Sequence, residues 1–287
     1  MRIVRPLPDL RRRVRDLRGK KRSIGFVPTM GALHEGHLSL IRAARKENDF
    51  VIVSVFVNPL QFNQRKDFTG YPRILAQDAR LAGKAGADLI FAPAAADLYP
   101  ADFQTSVTAD RLSRRWEGTC RPGHFRGVTT VVAKLFNLVQ PDTAYFGQKD
   151  AQQARIIQQM VRDLNMDLRV KVLPTVREPD GLAMSSRNRR LSAAQRRSAA
   201  ALSRALQEGK GLLEWNSRRT APALRRMKQL VRRVPGVRLE YLAVVDPENL
   251  EPVSRVQKSA LVLIAAWVGS VRLIDGCRIV PRFRKGS

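Results

Sequence analysis

Two of the three histidines in this 287-residue chain stand three apart, inside the run Pro28-Thr29-Met30-Gly31-Ala32-Leu33-His34-Glu35-Gly36-His37. The apolar stretch Ile24-Gly25-Phe26-Val27 ahead of them reads as a strand, and Leu38 to Arg45 behind them as a helix. Residues three apart on a helix share a face. The first turn of a helix also presents N–H groups without intrahelical acceptors and the positive end of the dipole. Together these make an anion site, most often for phosphate. A lone histidine is commonly a polar side chain satisfied by a neighbour. A pair at this spacing, flanked by Gly31 and Gly36, points to phosphate chemistry, and Gly36 lets a ligand approach the backbone closely.

Other polar groups also follow strand-like runs. Asn58-Pro59-Leu60-Gln61-Phe62 comes directly after Val51–Val57. Pro59 stops that strand, and the Asn58 and Gln61 amides suit the hydroxyls and carboxylate of a small polar substrate; ordinary loop chemistry is the alternative. Gly147-Gln148-Lys149-Asp150 follows a strand ending at Phe146 and opens a helix. Lys149 is poorly placed against the helix dipole unless an anion is bound, whereas Asp150 also suits that end as a plain N-terminal charge. Gln153 shares their face. Ala183-Met184-Ser185-Ser186-Arg187 joins two hydroxyls to a guanidinium, a good phosphate set, although Arg187 can equally be one more surface arginine. In Arg121-Pro122-Gly123-His124-Phe125 the ring of His124 reads as structural as readily as functional. The sequence shows no Walker-type loop, no Cys or His cluster at metal-ligand spacing and no legible Ser-His-Asp set. The chemistry implied is positioning and electrostatic stabilisation of phosphate charge.

The elements that must hold these residues alternate over the first 175 positions. Strand-like runs at Ser23–Pro28, Val51–Val57, Asp88–Ala92, Thr143–Phe146 and Leu168–Leu173 interleave with helical patterns near Leu38–Lys46, Ile74–Ala85, Gly127–Leu138 and Asp150–Leu164. This is the α/β class: a Rossmann-like parallel sheet with helices on both faces, binding ligands at the C-terminal ends of its strands. After Val176 the pattern changes. Helices near Ala193–Gln207 and Ala221–Val234 precede strand-like runs at Arg238–Val245, Ala260–Val268 and Val271–Ile274, a smaller α+β domain. The expected organisation is therefore 1–175 and 176–287.

Lys and Arg total 52 against 25 Asp and Glu, a net charge of +27. The excess is spread over Arg11-Arg12-Arg13, Lys20-Lys21-Arg22, Arg189-Arg190, Arg196-Arg197, Arg218-Arg219, Arg225-Arg226, Arg232-Arg233 and Arg282 to Lys285. No aromatic residues interleave with it as in base-stacking surfaces. It reads as solvated helix faces that bind polyanions non-specifically at low salt. No stretch has the apolar length of a membrane span, and Met1-Arg2-Ile3-Val4-Arg5-Pro6 has no signal-peptide core. Two cysteines, Cys120 and Cys277, make neither a disulfide framework nor a metal set. A cytoplasmic protein with reduced thiols is expected.

Taken in order, these segments resemble the pantothenate synthetase family, the pantoate–β-alanine ligases. The likeness runs through Pro28–His37, Phe56–Phe62, Tyr71-Pro72-Arg73, Arg121–Phe125, Lys134-Leu135-Phe136-Asn137, Gln140-Pro141-Asp142, Asp180–Asn188, Ala265-Ala266-Trp267 and Arg272-Leu273-Ile274-Asp275. A bare His-x-Gly-His is shared with many nucleotidyl transferases and class I aminoacyl-tRNA synthetases; the ordered series is far more specific. The resemblance implies that ATP adenylates pantoate with loss of pyrophosphate, and that β-alanine then displaces AMP. It implies that His34 and His37 bind ATP phosphates, with His37 the acid, and that the backbone of Met30, Gly31, Ala32, Leu33, His34, Glu35, Gly36 and His37 cradles the nucleotide. Gly147, Gln148, Lys149 and Asp150 would line the ATP pocket with Lys149 on the phosphates, and Val176 would meet adenine through its backbone. Met184, Ser185, Ser186 and Arg187 would close over the triphosphate, making 176–287 a lid. Gln61 and Gln153 would hold pantoate, with Gln61 also near β-alanine. Mg²⁺ would travel with ATP, with Asp78 a candidate for its shell, and the chain would form a homodimer.

Four positions depart from the family pattern: Gln148 where Glu is common, Ala151 where an aromatic is common, Lys66 for an acid, and Gly276 for Asn. Two other functions stay open on the residues alone. One is a nucleotidyl transferase that releases its nucleotide-linked product, distinguished by whether β-alanine triggers AMP release. The other is a polyanion-binding protein on an enzyme scaffold, distinguished by salt-steep nucleic-acid binding without turnover.

Overall fold

The computed structural model describes residues 1–216 and 218–282, so Arg284 and Lys285 of the last basic run lie outside the described residues. The chain divides into two compact units, 1–147 with 153–173 and 148–152 with 174–287.

From the N-terminus the elements are β1 (Arg2–Val4), α1 (Leu7–Gly19), β2 (Ile24–Thr29), α2 (Glu35–Glu47), β3 (Phe50–Val55), α3 (Arg65–Thr69), α4 (Leu75–Lys84), β4 (Leu89–Phe91), α5 (Ala95–Leu98), α6 (Glu117–Cys120), α7 (His124–Val139), β5 (Thr143–Gly147), α8 (Ala151–Asp163) and β6 (Arg169–Leu173). The six strands form one sheet in the order β1-β4-β3-β2-β5-β6. Every pairing is parallel, with Ile24 opposite Phe50, Gly25 opposite both Val51 and Thr143, and Thr143 opposite Arg169.

Strand alternation splits the apolar side chains between two layers. Ile24, Phe26 and Ile52 pack with α1 and α7 on one face, whereas Val27, Val51 and Val53 pack with α2 and α4 on the other. Strands buried on both faces must be apolar throughout, which is why runs such as Phe50-Val51-Ile52-Val53 carry no polar alternation. The strand order reverses between β2 and β5. Ligands bind such sheets at that switch point, beyond the C-terminal strand ends. The segment carrying His34 and His37 leaves β2 there, and Gly147 ends β5 there.

The second unit contains α9 (Ala193–Gly211), α10 (Thr220–Arg232) and an antiparallel sheet of β7 (Val237–Val245), β8 (Ala260–Val268) and β9 (Val271–Ile279) in that order. Its core joins Ala199, Leu202 and Leu206 of α9 and Met227 of α10 to Val262, Ile264 and Ala266 of β8.

β1, α1 and the second half of β9 extend the elements expected from sequence. β9 runs on to Ile279 because its one acidic residue, Asp275, is buried against an arginine rather than solvated at a strand end. No described helix is long and apolar enough to cross a membrane.

At the far end of α2, buried Tyr145 donates to Glu47 at 2.6 Å and accepts from Asn48 at 2.8 Å, while Lys171 reaches both Glu47 oxygens at 2.8 Å. The Lys171 hydrogen bond, then the Tyr145 one, holds the Glu47 carboxyl below its ordinary value, and burial pushes the Tyr145 phenol up to about 12. A carboxyl depressed in the folded state stabilises above its unfolded pKa and loses that contribution as pH falls through the folded one. Glu47 is well exposed, so the contribution is about 1 kcal/mol or less. Thermal melts of the wild type and Glu47→Gln should therefore differ most near pH 7 and converge below about pH 4; an equal gap at both pH values contradicts this.

Candidate active site

The turn between β2 and α2 is built around one buried carboxylate. Asp78, from α4, is 1% exposed. Its oxygens accept the N–H groups of Ala32 at 3.0 Å and Leu33 at 2.8 Å. Gly31 donates to the Thr29 hydroxyl at 3.1 Å, and that hydroxyl donates to the Ser54 carbonyl at 2.6 Å. To present these N–H groups inward the chain turns left-handed twice, with φ +82° at Gly31 and +52° at Ala32. A Cβ at Gly31 would stand 2.9 Å from both Asp78 and Val55, so only glycine fits.

This arrangement fixes what the segment offers a ligand. The N–H groups of Gly31, Ala32 and Leu33 point into the protein, so the expected backbone cradle cannot use them as donors. Those of Glu35 and Gly36, at the start of α2, have no intrahelical acceptor by position. Glu35 itself reaches along the helix to Arg42. His34 and His37 stack with ring centroids 4.1 Å apart. The His34 N–H donates to Nδ1 of His37 at 3.3 Å. An Nδ1 that accepts leaves the proton of a neutral imidazole on Nε2, so His37 is poised as a donor at its outer nitrogen.

The second motif is braced from three sides. Pro59–Gln61 forms a 3-10 turn capped by Asn58, whose side chain accepts from the Leu60 N–H. Buried Asn58 donates to the Gln61 amide oxygen and to the Gly127 carbonyl, both at 3.0 Å, and accepts from the Tyr99 hydroxyl at 2.9 Å. Burial pushes the Tyr99 phenol up, so it stays a donor. Arg121 and His124 both meet the Gln61 backbone carbonyl, at 3.1 and 2.8 Å. Arg121 only donates, so the His124 nitrogen 3.1 Å from it accepts and the other ring nitrogen carries the proton toward Gln61. His124 is thus structural. The Gln61 amide nitrogen donates to the Met30 sulfur at 3.1 Å. Met30 also lines a cavity of about 300 Å³ with Val55, Phe68, Arg73 and Leu75 at the C-terminal edge of the sheet. Gln153 lies half-buried in α8. Tyr99 and Gly127 carried no sequence signal. Gly127 is small because a Cβ there would stand 2.3 Å from the Leu60 carbonyl, so a bulkier residue would push α7 off the turn.

In the second unit, Gln148–Asp150 is a 3-10 turn in which half-buried Lys149 lies 3.4 Å from Asp150. Among the described residues a Cβ at Gly147 would meet nothing within 4 Å, so packing does not demand that glycine. Residues 176–184 fold back as a hairpin: Met184 donates to the Val176 carbonyl at 3.0 Å and Glu178 to Leu182 at 2.8 Å, with Gly181 left-handed at the bend. The Val176 carbonyl therefore ties the two arms together. Ser185 accepts from the Arg187 N–H at 3.3 Å and opens a 3-10 turn, Ser186–Arg190. Ser185 to Arg187 are half-buried; Arg189 and Arg190 are exposed.

No group of three or more His, Cys, Asp or Glu suited to a metal occurs among the described residues. Asp78, expected in a magnesium shell, instead gives each of its oxygens to a backbone N–H group, which makes holding the turn its role in this structure.

A family model described as pantoate-beta-alanine ligase matches residues 2–278. The pantothenate synthetase of Moorella thermoacetica is 51% identical over 275 residues, covering 96% of this chain and 97% of its own. That of Thermotoga petrophila is 49% identical over 275 residues, 96% and 98% of the two chains. The crystal structure of pantothenate synthetase from Thermus thermophilus superposes with TM-score 0.92 at 47% identity, covering 98% of this chain and 100% of that one. A pantoate-beta-alanine ligase from Francisella tularensis, solved with beta-gamma ATP and beta-alanine, gives TM-score 0.80 at 34% identity over 96% and 97%.

Asp78→Asn tests the turn. An amide offers one acceptor where two N–H groups arrive, so stability should fall by about 1–3 kcal/mol. Nucleotide affinity should weaken, and raising Mg²⁺ should not restore it. Restoration by Mg²⁺ would make Asp78 a metal ligand instead.

Proposed function

This chain belongs to the pantoate–β-alanine ligase family, and we propose that its amide-forming reaction proceeds through a pantoyl adenylate made at the turn between β2 and α2. The carrying observation is that the family match spans 2–278 while His34 and His37 sit at the sheet's switch point on the first turn of α2. The function is the ATP-dependent joining of pantoate to β-alanine. The enzyme is a ligase that forms a C–N bond.

A carboxylate is a poor acyl donor because its leaving group would be an oxide ion. In the first step a pantoate oxygen attacks the α-phosphorus of ATP and the bond to the pyrophosphate oxygen breaks. In the second the β-alanine nitrogen attacks the acyl carbon, the carbon–oxygen bond to AMP breaks, and the amine proton passes to solvent. Both steps move negative charge onto phosphate oxygens, and pre-placed donors stabilise that charge most effectively.

His37 supplies one such donor through Nε2–H, with His34 beside it. The N–H groups of Glu35 and Gly36 and the helix dipole add to the same field. The resemblance adds Lys149, Ser185, Ser186 and Arg187 as further phosphate donors and the Val176 backbone as the adenine contact. It places pantoate on Gln61 and Gln153. The two bonds Gln61 makes to Asn58 and Met30 use half of its four hydrogen-bonding positions. Mg²⁺ enters as part of the substrate complex, held by phosphates and water. The resemblance also implies a cytoplasmic homodimer. The basic surface binds polyanions non-specifically at low salt.

With Mg²⁺ and no β-alanine, pantoate should drive exchange of labelled pyrophosphate into ATP. His37→Ala and Lys149→Ala, shown folded by circular dichroism, should lose that exchange by about a hundredfold or more. Absence of exchange in the purified wild type would sink the proposal.

A further inference from the structure

Arg177 and Asp275 form a buried bidentate pair that none of the proposed chemistry uses. Arg177 Nη1 lies 2.7 Å from Asp275 Oδ2 and its Nη2 3.0 Å from Oδ1. The Asp275 side chain is 3% exposed and that of Arg177 27%. Asp275 sits in β9, opposite Ile264 of β8, in the core-facing part of the three-stranded sheet. Its Oδ1 also accepts from the Gly276 N–H at 2.7 Å. Gly276 is where a Cβ would come within 2.7 Å of the Val262 carbonyl, so this stretch of sheet is closely packed.

Arg177 belongs to the hairpin of residues 176–184, whose two arms pair at Arg177 and Ala183. The same Nη1 donates to the Gly181 carbonyl at the bend, 3.0 Å away. One guanidinium therefore ties the hairpin's start and its bend to the rigid sheet. The far arm delivers the chain directly into Ser185-Ser186-Arg187. Asn188 continues the connection, its side chain donating to the Ala183 carbonyl at 3.0 Å and its N–H to the Ser185 carbonyl at 3.0 Å. On the outside, Arg196 of α9 bridges Glu178 at 3.4 Å and Asp180 at 3.1 Å.

We infer that Arg177 and Asp275 are positioning residues that set the Ser185-Ser186-Arg187 turn for the nucleotide's phosphates. Two features favour this over a stability role alone. A buried ion pair adds little to stability, since apolar residues of equal volume serve as well, but it fixes geometry through two parallel hydrogen bonds. And this pair fixes a turn of two hydroxyls and a guanidinium, whose service to a phosphate depends on placement to within about 1 Å.

The inference rests on the reading of that turn as a phosphate clamp, and its test separates the two. Arg177→Lys keeps the charge and loses the fork; Asp275→Asn keeps the shape and loses the charge. ATP affinity, measured by calorimetry with Mg²⁺ on the full chain, should weaken about tenfold in each variant. The pantoate KM in pyrophosphate exchange should change less than about twofold. Variants that melt earlier yet bind ATP like the wild type overturn the inference. Should the wild type bind ATP but show no pantoate-dependent exchange, the adenylation reading fails while the affinity comparison still decides the positioning role. Should neither variant fold, hydrogen exchange of the wild type decides. Amides of Ala183 to Arg187 exchanging as slowly as those of β9 support the pair as their anchor. Exchange as fast as in the exposed stretch from Gln104 to Ser106 overturns it.

Discussion

The carboxylate of Asp78 against the N–H groups of Ala32 and Leu33 is the interaction on which the first unit's chemistry depends. A charge removed from water is costly unless its hydrogen-bonding positions are filled. Here each oxygen accepts a backbone N–H, and the same contact solves the chain's geometric problem at the end of β2. The strand must leave the sheet, turn left-handed through Gly31 and Ala32, and begin α2 at Glu35 after ending at Thr29. With the turn pinned, His34 becomes the helix cap, its N–H meets His37, and the His37 tautomer follows. The position of both rings and the placement of the His37 proton thus descend from one acid on a different helix.

The second unit solves an equivalent problem with an equivalent device. Its turn of hydroxyls and guanidinium follows a hairpin, and a buried acid from a strand, Asp275, holds that hairpin through Arg177. Asn58 plays a similar part for Gln61 with neutral groups. Across both units buried side chains such as Asp78 and Asn58 hold backbone, and the half-buried His34, His37, Lys149 and Ser185 to Arg187 are the ones proposed to meet substrates. Division of labour of this kind is what preorganised sites require, since donors that must reorganise during the reaction stabilise its charge less.

Much of the sheet was legible because strands covered on both faces are largely apolar runs, as β2 to β5 are, while β6 at the sheet edge shows instead the alternation Arg169-Val170-Lys171-Val172. β1 was not, since three residues beginning with an arginine leave no pattern. α1 carries its apolar residues at Leu10, Val14 and Leu17, a helical spacing, but the arginines between them make the segment read as a charge run. The histidine pair and the two clamps were readable as motifs, because chemistry-bearing residue types stood at strand ends. The scaffolding was not. Asp78, Tyr99 and Gly127 act on loops 41 to 69 residues away in sequence, and nothing local marks such a partner. Asp78 shows the consequence: a carboxylate that the resemblance suggested for magnesium holds backbone N–H groups with both oxygens. His124, open between two roles in the sequence, is fixed as structural by an arginine that can only donate.

In the proposed reaction these donors serve the transfer of an adenylyl group to a carboxylate, so that a pantoate oxygen becomes the bridging atom of an acyl adenylate. Labelling both carboxylate oxygens of pantoate with oxygen-18 and running the complete reaction with ATP, Mg²⁺ and β-alanine tests it most directly. Mass spectrometry of the products should find one labelled oxygen in each AMP and one in the amide carbonyl of the product. AMP free of label, with the heavy oxygen lost to phosphate or pyrophosphate instead, would contradict the account.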